Sequence, residues 1–223
     1  MVTGSWFDYF KKITKPLFDE DGLKRREERF RSMYGDFFEN HLFPEKGKLL
    51  SLGAGFGATE VCLARRGYHV IGVDNDRKVL ELLEENAKKY GEGRLEARFG
   101  DLLGDFHNGF LGETIQACVS FGLLEHFLMP DLLEIIRKQF MVSPFMICMV
   151  PINTPATLET FKVEGNPEGN VDENGIYRNF WEPEFWEQEI FKEHNVVDKR
   201  LCSGASGTIG RIDMVVFAIR KGG

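Results

Sequence analysis

The chain has 223 residues, 43% hydrophobic and 28% charged, with a formal net charge of −7. That length suits one substantial core and is too short for two ordinary domains with linkers, and the composition excludes a disordered protein. The acidic balance argues against sequence-independent binding of nucleic acid, which needs a basic surface, and the longest apolar run, 145–152, is far short of a membrane span.

Residues 1–12 lack the basic-then-apolar order of a secretory signal. Cys62, Cys118, Cys148 and Cys202 have no CxxC spacing, so buried free thiols and a cytoplasmic location are expected. Residues 1–44 read as helical and aromatic-rich. Ser5 can cap a short helix carrying Trp6, Phe7, Phe10 and Ile13, with Pro16 as its stop. A second helix starts near Asp21 and brings Leu23, Phe30, Met33, Tyr34, Phe37, Phe38 and His41 to one face. Its opposite face, 24–29, reads as solvated. This extension is expected to lie across an edge or the mouth of the sheet that follows.

That sheet is organised around residues 48–60. The apolar run 49–52 leads into Gly53, Gly55 and Gly57, and a helix-compatible segment, 58–66, follows. The pattern is a buried parallel strand, a tight turn and a helix N-terminus. A second apolar strand, 68–74, ends in Asp74, where a carboxylate can take a ribose diol. The glycines alone also fit a dinucleotide site, or a turn that only packs a helix on a sheet.

Further along, 76–90 predicts a helix and 95–101 a strand ending in Asp101. Residues 114–120 predict a strand, 131–141 a helix and 145–152 another strand. This alternation predicts a parallel sheet covered on both faces, with the ligand off the C-terminal strand edges. The loops at 53–57, 74–76, 101–102 and 121–127 would meet there. Residues 153–182 are polar and rich in Gly, Pro and acids, which suggests a lid. The lid closes on Tyr177, Arg178, Asn179, Phe180 and Trp181, a cluster able to line a pocket. A helix is expected over 182–194. Strands 195–202 and 211–220 are joined by a loop too short for a parallel crossover, so they form an antiparallel hairpin.

Three stretches resemble the class I S-adenosylmethionine-dependent methyltransferases, small-molecule branch: 50–57 with its glycines, Val73-Asp74, and Ser120-Phe121-Gly122-Leu123-Leu124-Glu125-His126-Phe127. The resemblance spans nearly all of 45–223. It implies an α/β, doubly wound, Rossmann-like sheet of seven mostly parallel strands with an antiparallel C-terminal hairpin. Residues 1–44 would pack on the site as an N-terminal helical extension, and 153–182 would be a lid insertion in the domain 45–223.

The same resemblance implies a methyltransferase acting on N, O or S of a small-molecule acceptor, with S-adenosyl-L-methionine as cofactor. Gly53, Ala54 and Gly55 would face the methionine and ribose of the cofactor, Asp74 with neighbouring Asn75 its ribose, Asp101 and Leu102 its adenine, and Phe121 its end near strand four. Two departures stand out: Ser51 and Gln116 occupy positions that usually carry acids. No metal cluster is expected, since the five histidines lack ligand spacing. His126 is the first candidate base and Glu125 the second; alternatively Glu125 caps the next turn and His126 packs behind it. Tyr177, with Trp6, Tyr9 and Trp181, would shape the pocket. Partners are a small-molecule acceptor, with no nucleic acid and no membrane, and a homo-oligomer stays open. Competing readings are an NAD(P)-dependent oxidoreductase and a non-catalytic S-adenosylmethionine-binding subunit.

Overall fold

Leu49, Leu50 and Leu52 are fully buried because their strand, β1 (Lys48–Leu52), lies in the middle of a sheet with helices on both faces. The computed structural model describes residues 6–14, 19–42, 46–164, 166, 169–206 and 210–223. The cap expected at Ser5, the stop at Pro16, and Gly165 and Pro167 of the expected lid lie outside them.

The chain opens with helices α1 (Trp6–Thr14), α2 (Glu20–Phe30) and α3 (Asp36–Leu42), the last two joined by a π-helical turn, Arg31–Gly35. Asp19 caps α2 by accepting from Gly22 N–H at 2.6 Å. After β1 come α4 (Ala58–Arg65), β2 (His69–Asp74), α5 (Arg77–Tyr90) and β3 (Leu95–Phe99). Next are β4 (Ala117–Phe121), α6 (Met129–Val142), β5 (Phe145–Pro151) and α7 (Pro155–Phe161). Asp76 caps α5, and Gly91 N–H closes it on the Ala87 carbonyl at 2.9 Å.

The main sheet has seven strands in the order β3-β2-β1-β4-β5-β9-β8, where β8 is Asn195–Ser206 and β9 is Gly210–Arg220. The first five are parallel, and β9 runs antiparallel to both β5 and β8. Both strands of the terminal hairpin reach further into the expected 203–210 loop than sequence suggested. The strand order reverses between β1 and β4, so a crevice opens off their C-terminal ends.

Alternate residues serve opposite faces. Leu49, Val70, Val119 and Ile147 pack with Phe30, Phe37, Phe38 and Leu83 of the helices on one side. Leu50, Ile71, Cys118 and Met146 pack with Ile135, Ile136 and Phe140 of α6 on the other. Phe37 and Phe38, at 0% and 1% exposure, each stabilise the packing of α3 by roughly 1.5–3 kcal/mol. All four cysteines are buried and free. Among the described residues no helix is long and apolar enough to cross a membrane.

Two segments differ from expectation. Residues 153–182 contain α7 and a small hairpin, β6 (Asn170–Val171) with β7 (Tyr177–Arg178), rather than only loop. The helix expected over 182–194 is a single turn, α8 (Pro183–Phe185), leading into a π-helical turn, Trp186–Ile190, because Trp186 and Ile190 both bury into the core.

Candidate active site

The turn after β1 is locked to the end of β2. Asp74 accepts from Gly55 N–H through Oδ2 at 3.1 Å and from Asp76 N–H through Oδ1 at 3.0 Å. Burial raises its pKa, and those main-chain donors pull the other way. Gly53 and Gly55 take φ of 60° and 56°, which disfavours any side chain. A Cβ on Gly53 would meet Leu123 Cδ1 at 2.4 Å, and one on Gly55 would meet Phe10 Cζ at 2.9 Å.

Two cavities flank this turn. The larger, about 620 Å³, is bordered by Asp74, Asn75, Asp101, Leu102 and Leu123. The smaller, about 230 Å³, is bordered by Ala54, Gly55, Phe121, Glu125 and Arg178 among others. Trp6, Phe10, Gly53, Gly122 and His126 line both, and so mark the seam between them. Helix α1 thus lies over the mouth: Trp6 stacks on Phe10 at 5.8 Å between ring centroids and meets His126 edge-on at 4.9 Å.

The β6–β7 hairpin is stitched to the loop after β4. His126 Nδ1–H donates to the Tyr177 carbonyl at 2.7 Å. Asn179 N–H donates to the Glu125 carbonyl at 2.8 Å, and Asn179 Nδ2–H to the Phe127 carbonyl at 2.8 Å. A carbonyl can only accept, which fixes the neutral His126 proton on Nδ1 and leaves a lone pair on Nε2. Arg178 Nη1 lies 3.5 Å from that Nε2 and 3.8 Å from Glu125 Oε1, while its Nε donates to Asp172 Oδ2 at 3.0 Å.

Burial pushes the Glu125 carboxyl up to about 7, against the opposing pull of the Arg178 charge. Burial, aided by Arg178, pushes the His126 imidazole down to about 3, and the bond to Tyr177 opposes this. Oε2 of Glu125 is buried with no hydrogen-bond partner.

Every residue expected to bind a cofactor borders one of the two cavities, as do His126 and Glu125. Tyr177 borders neither; its hydroxyl donates to Asn179 Oδ1 at 2.8 Å. Trp181 is 2% exposed and packs on Trp186 in the core, away from both cavities. Gln116 lies at the opposite edge of the sheet, bridging Gly47 N–H and the Leu42 carbonyl, so its identity bears on packing and not on the crevice.

Sequence reading missed Arg26, Arg29 and Glu60, which all border the smaller cavity. Arg26 and Arg29 belong to the face taken as solvated. Glu60 is buried, and Ser51 Oγ–H donates to its Oε1 at 2.6 Å. A buried acid one helical turn beyond the glycines, facing a serine where an acid is usual, was the available signal.

Residues 49–142 match the family described as methyltransferase domain. Over that segment, which holds the glycine turn, Asp74 and Asp101, the chain is similar to a methyltransferase domain, and S-adenosylmethionine is the cofactor that this similarity implies. No curated protein matches the chain in sequence. Its fold is similar to an S-adenosylmethionine-dependent methyltransferase from Anabaena variabilis (TM-score 0.68, 14% identity, covering 97% of this chain and 92% of that one). It is also similar to the PH0226 protein of Pyrococcus horikoshii (TM-score 0.69, 15% identity, covering 96% and 98%). A third neighbour is the N-terminal domain of EvdMO1 with S-adenosylhomocysteine bound (TM-score 0.58, 20% identity, covering 88% and 81%).

The residues present fit that cofactor. The larger cavity leaves open space beside the Asp74 carboxylate. The main chain at Gly53 and Gly55 lies against Leu123 and Phe10 with no room for a Cβ, and Glu125 offers a carboxylate oxygen with no protein partner.

Proposed function

We propose that the protein methylates a nitrogen, oxygen or sulfur atom of a small-molecule acceptor held in the smaller cavity, and that Glu125 takes the acceptor's proton. The buried, unpartnered Oε2 of Glu125 carries this reading. An orphan carboxylate oxygen is costly to bury unless a donor from outside the protein completes it.

Asp74 and Asn75 would hold the cofactor's ribose, Asp101 and Leu102 would border its adenine, and the turn 53–55 would lie against the methionine part. Bound S-adenosylmethionine supplies a methyl group on a sulfonium; transfer joins that carbon to the acceptor and leaves the electron pair of the broken S–C bond on a neutral sulfur.

The protein's own work is alignment, exclusion of water and handling of the proton. Trp6, Phe10 and His126 at the seam wall off the point where the cavities meet. Glu125 receives the proton at Oε2. His126 positions Glu125 and is not itself the base, since its Nδ1 is committed to Tyr177 and its Nε2 faces Arg178. A cavity of about 230 Å³ suits a small acceptor or a single protruding group.

The test is methyl transfer from radiolabelled cofactor into a fractionated extract, with wild type and Glu125→Gln. Label should enter the small-molecule fraction. The variant should lose roughly 10²–10⁴-fold in turnover with S-adenosylhomocysteine affinity unchanged. Label confined to protein or nucleic acid, or undiminished turnover in the variant, overturns the proposal.

A further inference from the structure

Arg26, Arg29 and Glu60 converge on the smaller cavity beside Ala54 and Gly55. Among the described residues neither arginine forms an ion pair with a carboxylate; the Arg29 side chain's bond is from Nε to Met33 Sδ at 3.2 Å. Glu60, at 3% exposure, accepts from the Ser51 hydroxyl, and the main-chain N–H groups of Glu60 and Thr59 and the Arg26 charge also favour its ionised form. Burial raises the Glu60 pKa and lowers that of Arg29, so each is held away from water without a full counter-charge. Among the described residues Glu60 has no cation in direct contact, which is expensive for a buried carboxylate as packing alone, and partly buried guanidinium groups without acids are equally unexplained.

We infer that Arg26 and Arg29 of α2 and Glu60 of α4 form a site for an α-amino-acid zwitterion, its carboxylate on the guanidinium groups and its ammonium on Glu60. Opposite charges on one small cavity match a ligand that carries both charges on neighbouring atoms. Ser51 orients Glu60, so the carboxylate absent from β1 is supplied from the helix one turn later.

Two ligands have this chemistry: the amino-acid end of the cofactor, reached through the seam at Gly53, and an amino-acid acceptor. The first source rests on the cofactor placement proposed above. The arginines lie outside the matched segment 49–142, so the site joins the N-terminal extension to the glycine turn.

The experiment is calorimetry on wild type, Glu60→Gln and Arg29→Met. The probes are S-adenosylhomocysteine, 5′-methylthioadenosine (which lacks the amino-acid end) and L-methionine. Both variants should bind S-adenosylhomocysteine about 10- to 100-fold more weakly and 5′-methylthioadenosine unchanged, the latter showing that the fold is intact. L-Methionine binding to wild type loaded with 5′-methylthioadenosine, but not with S-adenosylhomocysteine, assigns the site to the cofactor. Binding in both loaded states, lost in the variants, assigns it to an acceptor. Unchanged S-adenosylhomocysteine affinity together with no variant-sensitive L-methionine binding overturns the inference. If wild type binds neither nucleoside, the cofactor placement fails, while L-methionine titrated alone into wild type and variants still decides the zwitterion site.

Discussion

Oε1 of Glu125 lies 3.5 Å from Nε2 of His126, and burial drives both side chains to their neutral forms. Folding therefore places the pair's single proton on the carboxyl, where an unfolded chain at mildly acidic pH would keep it on the imidazole.

This exchange has a consequence for stability. Glu125, raised from 4.5 to about 7, contributes stability that is complete below about pH 4.5 and lost as pH rises through 7. His126, lowered from 6.5 to about 3, contributes stability that is complete above about pH 6.5 and lost as pH falls toward 3. Between those unfolded values the two trends oppose, and unfolding moves a proton without net release. His126→Asn removes one trend, so relative to wild type its stability should fall with rising pH by up to ~1.4 kcal/mol per pH unit. Urea midpoints at several pH values between 4.5 and 6.5 check this. Parallel curves for the two proteins would remove the proton exchange.

The catalytic pH profile follows from the same carboxyl. Only ionised Glu125 can accept a proton, so turnover should rise about tenfold per unit below pH 7 and level off above it. Glu125→Gln should show a low, flat profile. A wild-type profile that falls across neutrality would assign the proton to another group.

Asp74→Ala removes a carboxylate that faces the larger cavity and ties Gly55 to Asp76. Cofactor binding should weaken by about 1.5–3 kcal/mol, roughly 10- to 150-fold. Because a ribose is common to both nucleosides, S-adenosylhomocysteine and 5′-methylthioadenosine should weaken alike, unlike in Glu60→Gln. Calorimetry showing either ligand unaffected would place the sugar elsewhere.

Asn179 is fully buried and bonds to Phe127 and Tyr177 through its side-chain amide. Asn179→Ala leaves the Phe127 carbonyl without this partner, at a cost of about 1–3 kcal/mol. The expected outcome is a lower melting temperature and reduced turnover with nearly unchanged S-adenosylhomocysteine affinity. Wild-type turnover in this variant would mean that the hairpin's docking does not position the loop after β4.

The sheet was legible because its signals are local. An apolar run entering Gly53 and a strand ending at Asp74 specify strand, turn and strand from neighbours in sequence, and the short terminal loop fixed an antiparallel pair. Arg26 and Arg29 were not legible: a run of charges along a helix looks solvated, and only the packing of α2 across the crevice turns these two inward. Trp181 misled for the opposite reason, since an aromatic in an irregular segment carries no period to say whether it faces a cavity or the core. The roles of Glu125 and His126 depended on Tyr177 and Arg178, about 50 residues away in sequence.

The covering of the smaller cavity by Trp6, Tyr9, Phe161 and Arg178 has an evolutionary side. All four lie outside residues 49–142, whereas Asp74, Asp101 and the glycine turn lie within them. Change in α1, α7 or the β6–β7 hairpin can therefore reshape the smaller cavity while Asp74, Asp101 and the glycine turn stay as they are.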